Sequence, residues 1–565
     1  MNLTKIKHRL QQHKRITLIL CSYLLFCILW RQLEHRKIPL KILKAAGVST
    51  VESKQLLFYV DTFSLRHIKH HFFDQPYRHI SPNITTISIN KKNLLDAKKI
   101  SFTIQNKPHA LAQPWHKTYA IKNLQTDAQG NIILPISGLY AGYKNNVIVS
   151  IGARTKKYLI QTPSIDKVSI SAFGLHFYDS PYTKITKVKQ PSKTHLPNFS
   201  YMMLKSNIDG QIILDIDGNI RWMPPTSYWG STSFYDKQLD KIAYVLKGQL
   251  NYVGWDGKVS TYPIHSAFYK DIHWSTHDLS QGKKGYFFPI QATRVSDQQV
   301  INESVLLETN RQGQELGHWD MGKILSDFMI QRGDDPSSLI VYGKDWFHMN
   351  SFVYDKKHDE IIISSRQQFV IAIGYTDKKI KWILGDTSKY WGTFSSLRSV
   401  ALDLNGSLAP IGQHAVSLNE NGDLLLFNDG HNTDLHKGNK ALINYKSIGK
   451  QLKASHINTY KINAKLDADG TGIGGQAQVT WDYNRHIYST YCSSVYENVQ
   501  DNKKHYLITY SMAEGLRQDG SKIVKIQGMD KNEHILFDYE IPAYKNLCGS
   551  AWNATIVNFP HTKNK

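Results

Sequence analysis

From residue 198 onward one short element keeps returning, and that repetition restricts the fold more than any other feature of the chain. A turn of Asp, Asn or Gly leads into a strand with an aromatic or apolar end. The copies are "DIDGNIRW" from Asp215, "GWDGKVSTY" from Gly254, "NRQGQELGHW" from Asn310, "YTDKKIKWIL" from Tyr375, "GGQAQVTWDY" from Gly474 and "MDKNEHILFDY" from Met529. Roughly six such units of about four strands each are the signature of a β-propeller. Spacing is uneven, and the segments 387–410 and 429–450 read as loops inserted on a rigid scaffold, where binding sites are commonly shaped. The stretch "AWNATIVNF" from Ala551 can pair with the first unit and close the ring, which removes an exposed sheet edge.

A second repetition lies inside the first. "GQHAVSLNENGDLLLFNDG" from Gly412, "THDLSQGKKGYFFPI" from Thr276 and "FHMNSFVYDKKHDEIIISSR" from Phe347 each place a histidine ahead of a strand, a polar turn and a second strand. Equal phase in a fold of repeated units means equal place, so His277, His348 and His414 are expected to converge. Asn350 stands two residues after His348 and, by strand alternation, on the same face. Arg366 closes the returning strand and comes back to the same end of the blade. All these groups can donate hydrogen bonds, and the imidazoles can also attack or exchange protons near neutral pH. The planar guanidinium suits an oxyanion and argues against a bare divalent cation in the same pocket, so no metal is expected; no cofactor is expected either. A histidine-ligated metal site is the alternative.

The remaining chain divides as follows. Lys5, Lys7, Arg9, Lys14 and Arg15 precede an uncharged run from Ile16 to Trp30, short for a spanning helix and equally fit for a signal h-region. Residues 1–32 are read as this signal or anchor segment, uncleaved for lack of a small-residue cleavage site, with attachment to the inner membrane through residues 16–30. Residues 33–75 read as a linker, 76–165 as a small antiparallel β domain, 166–197 as a second linker and 198–565 as the propeller. Cys21 and Cys27 lie in the apolar run. Cys492 and Cys548 can form a disulfide in an oxidising compartment; two unrelated buried thiols are the alternative. The net charge of +23 points to anionic partners, but the lysines are scattered and no recognition motif accompanies them, so no nucleic-acid partner is expected.

"KDWFHMNS", then "SSR", "KWILGD" and the "QHA" stretch resemble the bacterial arylsulfate sulfotransferase family. "GLYAGYKNNVIV" from Gly138 and "DIDGNIRW" are similar too, and the likeness runs from about residue 75 to the C-terminus. The resemblance implies an all-β chain, a six-bladed propeller preceded by a β-sandwich and exported to the periplasm. It implies transfer of a sulfuryl group from a phenolic sulfate donor to a phenol acceptor through a sulfohistidine. His414 would be the nucleophile; His348, Asn350 and Arg366 would hold the sulfuryl oxygens; His277 would serve the phenolic oxygen, with His273 as its competitor. Tyr390, Trp391 and Phe394 would either stack on phenol rings or pack their loop. A homodimer stays open. Two other readings stand beside the transferase: a non-catalytic binding propeller, and a hydrolase of sulfate or phosphate esters.

Overall fold

The computed structural model describes residues 77–557 apart from short internal stretches, of which 433–448 is the longest. The hydrophobic run 16–30 and the linker 33–75 lie outside the described residues. Among the described residues no helix is long and apolar enough to cross a membrane.

The central strands of the repeated units are continuous apolar runs such as "EIIISS" (Glu360–Ser365) and "LLLFN" (Leu424–Asn428), buried almost throughout. A strand covered by neighbours on both faces has no solvent side, so alternation disappears. Outer strands keep it: Gly472–Tyr483 has exposed or half-exposed residues interleaved with buried ones. Six antiparallel sheets follow one another along the chain, beginning at Tyr201, Ser233, Tyr269, Met349, His414 and Tyr488. The second, fourth and fifth have four consecutive strands each, as expected for blades. The first is completed from the far end of the chain: Asn553–Ile556 pairs with Tyr201–Ser206, and the expected closing strand is in place. The fold is all-β and propeller-like, with one substantial helix among the described residues, Met321–Gln331, that the turn-and-strand pattern does not reveal.

Ahead of the blades stand a three-stranded sheet and a four-stranded one, from the strands of residues 77–161. Their inward residues share one hydrophobic cluster with the first two blades, including Ile87, Phe102, Trp115, Leu134, Tyr201, Trp222 and Trp255. The described residues accordingly belong to a single compact unit. Two of the motifs noted above meet at this junction. Arg221 of "DIDGNIRW" is fully buried and donates to the Gly138 carbonyl (2.9 Å), the Tyr140 hydroxyl (3.0 Å) and Asp215 (3.2 Å). Gly138 is required there: its φ is 82°, and a Cβ would stand 2.1 Å from the Trp115 ring.

The segment 166–197 is more than a linker. Thr186–Lys189 pairs with Ile535–Pro542 and adds an outer strand to the sixth sheet. Its lysine- and threonine-rich sequence hides this, because an exposed edge strand needs no apolar face.

Candidate active site

Each predicted histidine stands at or just before the strand that opens its hairpin, and distorted backbone marks two of the three positions. His348 has a left-handed φ of 56°, and its strand slips register between Met349 and Ser351. Ala415, next to His414, has φ 53° beside a slip between His414 and Ser417. Such residues cost about 1–3 kcal/mol each and persist only where their surroundings hold them. His277 lies three residues before the short strand Ser280–Gln281.

The predicted residues do come together. The rings of His277 and His348 meet at 4.6 Å between centroids. The Trp552 indole packs on both His277 (4.8 Å) and His414 (5.8 Å). Arg366 donates its backbone N–H to the His348 carbonyl at 3.0 Å, and its guanidinium lies 5.0 Å from the centre of the Tyr491 ring. Asn350 donates its side-chain N–H to the Gln413 carbonyl at 2.7 Å, which ties the strand of His348 to the residue before His414. All five are buried. His273 is exposed on the strand Tyr269–Trp274, whereas the clustered histidines are buried. Trp391 is fully buried against Phe369, and Tyr390 pairs with Phe394 while both pack on the same core, so these aromatics fill their loop.

Sequence reading missed three carboxylates. Asp345 Oδ2 is 2.5 Å from His348 Nδ1. Glu303 Oε2 sits between two rings, 3.0 Å from His277 Nε2 and 3.4 Å from His348 Nδ1. Asp429 Oδ2 is 2.5 Å from His414 Nδ1. Asp345 and Asp429 lie inside the quoted motifs, and an acid three residues before His348 was a visible signal. Glu303, one of several polar residues in the strand Val300–Thr309, offered no such signal.

These partners divide the histidines. Burial alone would lower the His348 imidazole, but Asp345 and then Glu303 outweigh it and hold its pKa above the ordinary value. Burial drives the His414 imidazole well below its ordinary range, and the Arg366 charge, His277 and His348 push the same way. Burial would raise the Glu303 carboxyl, yet His277 and His348 hold it down. Burial pushes the Asp429 carboxyl well up, partly opposed by Arg366. The Gly412 carbonyl, 3.0 Å from His414 Nδ1, can only accept. The proton of the neutral ring therefore sits on Nδ1, and the Nε2 lone pair is left for chemistry.

His277, Glu303 and His348 lie close enough to share a cation, with their ligand atoms within 4.8 Å of one another. The atoms that would bind it already face each other as ion pairs and hydrogen bonds, and Arg366 adds a fixed positive charge beside them. The arrangement favours an anion over a divalent cation.

An all-β, propeller-like chain with a buried cluster of histidines, carboxylates and one arginine is thus defined by fold and site together. The family model "Arylsulfotransferase (ASST)" matches residues 184–547, well over half of the sequence, and the chain belongs to that family. Relatives include the arylsulfate sulfotransferase AssT of Escherichia coli O6:H1 (strain CFT073), 31% identical over 143 residues, and that of Lelliottia amnigena, 29% identical over 157 residues. Each match covers 25% of this chain and 23% of the relative, so the similarity spans about a quarter of either protein. Among solved structures, the β-propeller domain of Myceliophteria thermophila Cps50 (Swd1) is 8% identical and covers 63% of this chain and 98% of its own, with a TM-score of 0.30. The WD40 β-propeller domain of Doa1 is 7% identical, covers 64% and 96%, and has a TM-score of 0.27.

Proposed function

We propose that the protein transfers a sulfuryl group from a phenolic sulfate ester to an acceptor phenol by a ping-pong route through sulfated His414. The observation that carries this reading is His414 itself: buried, held neutral, with Nδ1 engaged and Nε2 free, beside the permanent charge of Arg366. In the first half-reaction the Nε2 lone pair attacks sulfur. The bond from sulfur to the aryl oxygen breaks, and its electron pair leaves on the phenolate, which takes a proton from His277. In the second half-reaction the acceptor phenol returns a proton to His277. Its oxygen attacks sulfur, and the nitrogen–sulfur bond breaks with its pair going back to Nε2.

Arg366 and His348 face the sulfuryl oxygens, and fixed donors of this kind need no reorganisation as charge develops. Nδ1 of His277 has no hydrogen-bond partner among the described residues, which leaves it for the phenolic oxygen. The disulfide between Cys492 and Cys548 suits an oxidising compartment outside the cytoplasm.

The test is the intact mass of the protein after brief incubation with nitrophenyl sulfate, beside His414→Ala. A gain of about 80 Da in the parent alone, discharged by added phenol, is the expected result. Nitrophenol release without an adduct, unaffected by phenol, would favour hydrolysis. No release at all would leave a binding propeller.

A further inference from the structure

Glu303 belongs to none of the motifs and lies on the third long strand of its sheet, Val300–Thr309, yet its carboxylate ends between two site histidines. The backbone explains how. Gln291 pairs with Asn302 while the preceding Ile290 pairs with Val305, so Glu303 and Ser304 form a bulge with no partners in the register. Glu303 has a φ of 49°, a left-handed conformation that an L side chain adopts at a cost. Bulges re-aim a side chain, and this one spends backbone strain to bury a carboxylate that is 5% exposed. A charge placed at such expense calls for a purpose beyond packing.

We propose that Glu303 is a positioning residue that fixes His277 and His348 for proton transfer at the phenolic oxygen; the inference rests on the transferase reading above. Its Oε1 accepts from the Gln291 amide at 3.2 Å, so the carboxylate cannot rotate freely. Its Oε2 takes the N–H of His277 Nε2, which turns His277 Nδ1 away as the free end. The same oxygen is 3.4 Å from His348 Nδ1, whose nearer partner is Asp345. Arg366 and His414 also act on this cluster by charge, and Asp429 stands behind His414. Removing the carboxylate frees His277 to rotate and deprives the pair of its shared anion.

The experiment compares Glu303→Gln and Glu303→Asp with the parent on two donors, nitrophenyl sulfate and phenyl sulfate. Phenolate, whose conjugate acid has a pKa of about 10, needs a proton as it leaves; nitrophenolate, a much weaker base, needs little help. With phenyl sulfate, kcat of Glu303→Gln should fall about 10²-fold, the low end of what general acid catalysis supplies. With nitrophenyl sulfate, formation of the His414 adduct should slow only a few-fold. Glu303→Asp should recover part of the loss on phenyl sulfate. Equal losses on both donors would mark a merely structural residue, and unchanged kinetics would mark an idle one; either overturns the proposal. If Glu303→Gln does not fold, as read by far-UV circular dichroism, Glu303→Asp carries the same donor comparison. A parent that forms no adduct with either donor fails the transferase reading itself, a different result from an active parent whose variants lose both donors alike.

Discussion

Asp429 and His414 stand with Oδ2 and Nδ1 only 2.5 Å apart, both buried from solvent. Burial makes the Asp429 anion costly, so its stabilising effect is greatest when positive charge grows on the adjacent ring as Nε2 bonds to sulfur. Asp429→Asn keeps the shape and removes that response. Single-turnover formation of the sulfated protein, followed by mass, should slow about 10²-fold, with KM for the donor nearly unchanged.

Arg366 acts on His414 through charge and on the sulfuryl group through its planar fork, and two substitutions separate these. A histidine held below its ordinary range is a nucleophile above its folded-state pKa and is lost as pH falls through it. Arg366→Gln removes one of the influences that lower His414, so the acid limb of the pH–rate profile should move to higher pH. The rate at its plateau should fall about 10²- to 10³-fold. Arg366→Lys should lose a comparable part of the rate while leaving the acid limb near its original position.

Cys492 and Cys548 are joined across 56 residues, and both share a cluster with Met512 and Trp552, the residue that packs on His277 and His414. Chain-entropy reasoning gives such a crosslink about 4 kcal/mol. Denaturant unfolding with and without a reductant should show a loss of that size in the parent. A Cys492→Ser, Cys548→Ser double variant should start at the lower value and ignore the reductant.

Arg221 and Asp215 form a fully buried pair at the junction of the N-terminal sheets with the first blade. Arg221→Met leaves Asp215 buried without its cation and the Gly138 carbonyl without its donor. Breaking such a pair costs about 3–5 kcal/mol. Urea unfolding should show that loss, and limited proteolysis should cut earlier between the N-terminal sheets and the first blade.

The strand pattern, the closing strand and the convergence of His277, His348, Asn350, Arg366 and His414 were legible in the sequence. Each rests on a local periodicity, and a repeat converts equal phase into equal position. Choosing His277 over His273 also came from phase: eight residues separate His277 from Gly285 and His414 from Gly422. The edge strand Thr186–Lys189 and the packing of Trp391 were not legible, since pairing with residue 535 and burial against Phe369 are decided by neighbours distant in sequence.

The sequence by itself determined which imidazoles and which guanidinium meet at the site. Only the tertiary structure decided their electrostatics, because these depend on burial and on groups delivered from other strands. Glu303 arrives through a backbone bulge, Asp429 from the end of a partner strand, and Trp552 from the segment that closes the ring. Chemically identical imidazoles thereby come to differ: burial and Arg366 push His414 well below the ordinary range, while Asp345 and Glu303 hold His348 above it.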